Sequence, residues 1–267
     1  MAGQLMQNRL LHTFEKFCLL NVGPLDPMKP TEAHREMFRR NTLEGSGLVG
    51  PLYATDELQR ARFFIETMEE FIDSSETAEV KALETNITSL SEEAKDEFWQ
   101  WNYPIHWQDI FGVRIRSAFV AQLCSHIEAT LGDIAHRVQV IERCPIEVSK
   151  IKGSTLEQHK LYLHTFAKFE GPPSEVWKKM AHVFRIRNVH IHQQGYGGEI
   201  ANDKEFSAFL ASLPNVSIEN NFIELKAGSC QALLEIAEGF HGAIVKEYQA
   251  YRLRALALDR LSRAPEA

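Results

Sequence analysis

The sequence predicts a mainly α-helical bundle carrying one small β-hairpin near residues 216–226. Three observations point there. Apolar residues recur at helical spacing through most of the chain. One segment, VSIENNFIELK, instead gathers β-branched and aromatic residues around an Asn-Asn pair. Prolines collect between the helical stretches, where chain reversals belong.

Taken in order, Leu5, Met6, Leu10, Leu11, Phe14, Phe17 and Cys18 mark a helix over 4–20. NVGPLDPMKPTE, with three prolines within seven residues, ends it. A short basic helix, TEAHREMFRR, follows, then the Gly-rich NTLEGSGLVGPLY, which reads as irregular. Leu58, Ala61, Phe64, Ile65, Met68, Phe71 and Ile72 predict a helix from Thr55 to Ile72, with TDEL as its cap. The acidic stretch 74–97 reads as solvated helix. It leads into Phe98, Trp99, Trp101, Tyr103 and Trp107, which are expected to plug the core.

The strongest apolar stripe comprises Phe111, Ile115, Phe119, Leu123, Ile127, Leu131 and Ile134. It predicts a helix of about 40 Å from Ile110 to Val138. Residues 154–169 form another helix, and EGPPSE opens one that runs from Ser174 to the glycine at 195. A last helix covers 229–261. With 267 residues, 44% of them hydrophobic and 24% charged, the chain can bury a sizeable core. The organisation expected is an N-terminal helical extension, 1–104, and a helical domain, 105–267, with one continuous domain as the alternative.

The net charge of −7 argues against a nucleic-acid coat or a membrane-surface binder, though not against a small local cationic site. Cys18, Cys124, Cys144 and Cys230 form no Cys-x-x-Cys pair and read as isolated thiols in a reducing compartment. No run approaches the ~18 apolar residues of a membrane span, and the first residues lack an apolar signal core. The expected location is the cytoplasm.

The chemistry concentrates in RIRNVHIHQQGYGG, residues 185–198. On the helix from Ser174, the residues Trp177, Met180, Phe184, Arg187 and Ile191 share one stripe, which places Arg187 where a core residue would stand. A buried guanidinium requires a partner. Glu128, in LCSHIEATL, is the acid in the apolar middle of the 110–138 helix, and it is the candidate acceptor for Arg187 or His192. A half-exposed glutamate on the helix flank is the competing reading.

Arg187-Asn188-x-x-x-His192 resembles the Arg-x(4–6)-His motif, often with Asn after the Arg, of the HEPN superfamily of α-helical domains. The likeness extends to a preceding long helix with an embedded acid and a following long helix, over roughly residues 105–258. Arg185 and His190 fit the bare spacing as a second register, but lack the Asn. The resemblance implies a metal-independent endoribonuclease acting as a homodimer, with RNA as substrate and no metal or cofactor. It also implies toxin–antitoxin or phage-defence partners. In that chemistry His192 moves the proton, Arg187 neutralises the phosphate and Asn188 orients the phosphate or a histidine. A non-catalytic HEPN-like interaction or nucleotide-binding module remains open, as does simple capping of the helix C-terminus by these side chains. The position where some HEPN toxins carry a modified Tyr is Gln194 here.

His182, His190 and His192 suggest a metal cluster at first sight, but 190 and 192 point to opposite sides of a helix and no acid stands at ligand spacing. Two basic clusters could guide RNA: Arg35, Arg39 and Arg40, and Arg252, Arg254, Arg260 and Arg263. Arg252 and Arg254 are the RNA-contact candidates, with solvated helix faces as the competing reading.

Overall fold

The computed structural model describes residues 32–44, 49–198 and 202–263, and for 49–54 the backbone alone. The 4–20 helix, Cys18 and nearly all of the proline-rich loop lie outside the described residues. The chain divides into two units, Met1–Phe38 and Arg39–Ala267. Of the first, the described part is the opening of helix α1 (Glu32–Glu44), where Arg35 and Glu32 approach to 3.9 Å.

The second unit is a helical bundle with one hairpin. Its elements are α2 (Val49–Asn86), α3 (Glu92–Asn102), a π-helical turn (His106–Gly112), α4 (Val113–Glu142), α5 (Thr155–Phe166) and α6 (Ser174–Gln193). Then come α7 (Lys204–Ser212), β1 (Val216–Glu219), β2 (Phe222–Leu225) and α8 (Ser229–Arg263). α2 and α3 fall in the same unit as the motif helix.

α4 is the central element, packed against α2, α5, α6 and α8. Phe119, Val120, Leu123, Ile127, Leu131, Ile134 and Val138 are all buried on it. Each such side chain contributes about 1.5–3 kcal/mol relative to exposure. Trp177, Met180, Val183, Ile186 and Val189 supply the matching face of α6. Leu233, Leu234, Ala237, Phe240 and Ile244 supply that of α8.

α2 starts at Val49, six residues before the expected cap at Thr55, so part of the Gly-rich stretch is helical. Pro51 falls in its first turn, where the missing N–H would have had no partner. The same helix absorbs most of the acidic stretch and runs to Asn86. The aromatic cluster is not a core plug. Trp101 is 77% exposed and Tyr103 49%, and α3 buries no residue. Its rings pack on one another along the surface, Phe98 on Trp99 and Phe71 on Trp107.

α5 begins with a capping box, in which Ser154 and Glu157 each bond the other's backbone N–H. The hairpin pairs Val216 with Leu225 and Glu219 with Phe222. Asn220 and Asn221 both take positive φ, as the favoured two-residue hairpin turn requires.

Candidate functional site

α6 ends because Gln194 and then Gly195 enter the left-handed region, at φ of 52° and 90°. Both of their N–H groups turn back to the Val189 carbonyl. The hairpin secures this end: Ile223 N–H donates to Gly195 O at 2.9 Å and Gly197 N–H to Asn221 O. The last two turns of α6 are therefore presented on a fixed scaffold.

Arg187 and Asn188 meet there. Arg187 Nη1 donates to Asn188 Oδ1 at 2.9 Å, and Arg187 Nε is buried without a partner. Arg187 is half-buried rather than a core residue, because the stripe that begins at buried Trp177 has reached the surface by Ile191, which is 47% exposed. Glu128 is also half-buried on the facing side of α4. The Cys124 thiol feels both charges. Burial pushes it up to about 12, with Arg187 pulling it down and Glu128 pushing it further up. Among the described residues, however, neither Arg187 nor His192 forms an ion pair with Glu128. Glu128 also raises the pKa of His159, whose ring donates to Thr155 O at 2.7 Å and whose burial outweighs that effect.

His192 is exposed. At about 100° per residue it lies roughly 140° around α6 from Arg187. One chain therefore brings Arg187 to Asn188 but does not turn His192 toward the same point.

The second register is occupied by structural work. Arg185 pairs with Asp203 at 2.8 Å and lies over the Phe206 ring at 4.2 Å from its centroid. Asp203 in turn caps α7, accepting from Glu205 N and Phe206 N. Arg185 and the cap pull the Asp203 carboxyl below its usual range. His190 faces inward. Its Nδ1 sits 3.1 Å from Ser117 Oγ, its Nε2 is buried without a partner, and burial lowers its pKa to about 4.

The C-terminal basic cluster does not gather near this end. Ser117 meets His190 near the start of α4, while Tyr251 bonds Glu142 at its far end. Twenty-five residues of helix put these levels about 37 Å apart. Arg252 and Arg254, beside Tyr251, therefore lie at the other end of the bundle from His192. Other arginines of the two clusters are consumed: Arg39 binds Asp259 at 2.8 Å, Arg263 binds the same acid, and Arg40 binds Glu44.

Sequence reasoning missed Arg116. It is 2% exposed and gripped by Glu69 through two bonds, Nε to Oε1 at 2.8 Å and Nη2 to Oε2 at 2.6 Å. Gln108 from the π-helical turn accepts from Nη2 at 3.0 Å. Arg116, Ser117 and His190 line a half-open cavity of about 730 Å3, bordered by the π-helical turn, the start of α4, the end of α6 and the β2 edge. The signal was present in GVRIRSAFV. Arg116 stands three and four residues before the buried Phe119 and Val120, on the same stripe.

Compared with protein-family models, with curated proteins and with solved structures, the chain finds no match in any of the three. The HEPN likeness thus rests on the motif residues and the helices around them. Among the described residues, no helix is long and apolar enough to cross a membrane.

Proposed function

We propose that the end of α6 is a phosphodiester site, and that the protein is a HEPN-type metal-independent endoribonuclease assembled from two copies of this chain. The observation that carries the reading is the contrast between the two arginines. Arg185 is committed to Asp203 and Phe206, whereas Arg187 is held by the neutral Asn188 and keeps a buried Nε without an acceptor. Among the described residues no carboxylate pairs with this guanidinium, which suits it to an anion. His192 lies exposed one turn further on.

Since Arg187 and His192 diverge around the helix, a second copy brings its own His192 to the phosphate beside the first copy's Arg187. RNA supplies the 2′-OH nucleophile. One histidine takes its proton and the other protonates the departing 5′-oxygen, leaving a 2′,3′-cyclic phosphate and a 5′-OH. Arg187 balances the added charge on the phosphorane, and Asn188 keeps the guanidinium in place. An antitoxin or defence-system partner belongs to the same reading through the family likeness. Arg252 and Arg254 enter it as RNA contacts only if the second copy brings its far end alongside.

The test is incubation of the purified protein with total RNA in EDTA, beside Arg187→Ala and His192→Ala. Cleavage that both substitutions abolish supports the reading. A folded wild-type dimer that leaves RNA intact supports the alternative, a non-catalytic HEPN-like interaction or nucleotide-binding module. Cleavage that survives both substitutions rejects the site.

A further inference from the structure

The cavity beside His190 has its own chemistry and does not depend on the nuclease reading. Around it stand three polar groups whose hydrogen bonding is absent or incomplete.

The first is the N–H of Leu225. Lys226 N–H donates to Asn215 O at 3.0 Å, and Ser217 pairs with Glu224. In an antiparallel ladder this alternation turns the N–H and C=O of Ile223 and Leu225 to the outer edge of β2. There Ile223 N–H finds Gly195 O. Leu225 C=O accepts from Arg116 Nη1 at 3.4 Å, but Leu225 N–H has no described acceptor, although the residue is 3% exposed. A buried N–H in that condition is rare.

The second is Arg116 Nη1, whose bond to Leu225 O is its one described contact and is long. The third is His190 Nε2. Ser117 Oγ donates to Val113 O at 2.7 Å, so it accepts from His190 Nδ1–H. That tautomer leaves Nε2 as a bare acceptor in a buried position.

The surroundings favour a ligand. Arg114 is exposed at the cavity and has no described partner. Val113, Phe222 and Ile223 give apolar wall. Glu224 also lines the space but faces Lys226 at 3.6 Å. A π-helical turn, a geometry that concentrates at functional sites, forms one side. The volume is that of a small-molecule site.

We propose that this cavity binds a small organic acid with a partly apolar body. Its carboxylate or phosphate monoester accepts from Leu225 N–H and Arg116 Nη1 and is balanced by Arg114. A hydrogen-bond donor on its body reaches His190 Nε2. The shared chemistry is one anionic group and one hydrogen-bond donor on the same body.

The test titrates the intact protein with two probes, indole-3-acetate for the carboxylate and adenosine 5′-monophosphate for the phosphate. Indole and adenosine serve as the bodies without their anions. The readouts are the amide signal of Leu225, the imidazole signals of His190, and affinity by calorimetry. At least one acid is expected to shift both sets of signals, and to bind about tenfold or more tighter than its neutral body. Which acid does so identifies the anionic group. Arg114→Ala, an exposed change that leaves the core intact, and His190→Gln are each expected to weaken that acid by about tenfold. His192→Ala, on the opposite side of α6, is expected to leave binding unchanged, which separates this site from the nuclease site. Silence of the Leu225 and His190 signals with both acids overturns the proposal. So does equal binding of acid and neutral body, or affinity indifferent to both Arg114→Ala and His190→Gln.

Discussion

Arg116 and Arg187 are both arginines on apolar stripes of packed helices, and the protein treats them oppositely. Arg116 is buried at the cavity wall, held through two bonds by Glu69 and a third by Gln108. Arg187 stands half-exposed, with Asn188 as its hydrogen-bond acceptor and a carboxylate, Glu128, near enough to be felt by the same thiol but not bonded. The first arrangement spends the charge on holding α2 to α4. The second leaves the charge available. A motif shows which residue types are present, and the carboxylate inventory around each one shows which is free to act.

The contrast is broken most severely at Glu69. Glu69→Ala strands the Arg116 guanidinium at 2% exposure. Removing one partner of a buried ion pair costs about 3–5 kcal/mol, so urea unfolding should show the midpoint falling sharply. Replacing Glu69 and Arg116 together by Met is expected to recover much of that loss, since the uncompensated charge is gone. A single variant as stable as wild type would show that the pair is not what holds α2 in place.

A pH titration of stability probes the cavity wall at His190. Burial holds the folded-state pKa of His190 near 4, below its ordinary value of about 6.5. The unfolded chain therefore binds the extra proton first. Stability is fully present above about 6.5 and is lost as the pH falls toward about 4, by about 3 kcal/mol at most. The His190→Gln variant should lack that slope, and chemical unfolding at several pH values compares the two. Parallel profiles would place the imidazole in solvent.

Most of the fold was legible because local periodicity and packing agree. The stripe of α4 and the Asn-Asn turn of the hairpin appear where the residues put them. The start of α2 differs because the glycines of NTLEGSGLVGPLY read as irregular, whereas the helix already begins at Val49, with Pro51 in its first turn, where the backbone tolerates it. The aromatic run 98–107 was misjudged because composition cannot say which side of a surface helix a ring lies on, and those rings cover each other outside the core. At the site, spacing found Arg187, Asn188 and His192 but could not weigh the two registers by occupancy. Asp203 lies eighteen residues beyond Arg185 and takes that charge through the turn before α7. Arg116 was overlooked because its partner, Glu69, is 47 residues away on another helix. Long-range ion pairs of this kind leave no local pattern.

Gly112 sharpens the comparison at a smaller scale. It stands where the π-helical turn becomes α4, and a Cβ there would come within 2.7 Å of Arg116 Nη1. Gly112→Ala is therefore expected to push the guanidinium off its place, at about 1–3 kcal/mol of overpacking. Up to about 1 kcal/mol returns as helix propensity. Thermal unfolding reads the net loss, and a more stable variant would mean that Arg116 yields freely.

The smallest effect belongs to Arg187. The guanidinium is half-exposed, its described bond goes to an exposed neighbour, and its Nε is buried without an acceptor. Truncating it removes an unmet donor along with one exposed hydrogen bond, and the two changes oppose each other. Arg187→Ala should then stay within about 0.5 kcal/mol of wild type by urea unfolding, as surface substitutions usually do. A loss as large as that of Glu69→Ala would mean that Arg187 is bound to Glu128 in solution. The charge would then be spent on the fold, as at Arg116, and the case for an anion at the end of α6 would fall with it.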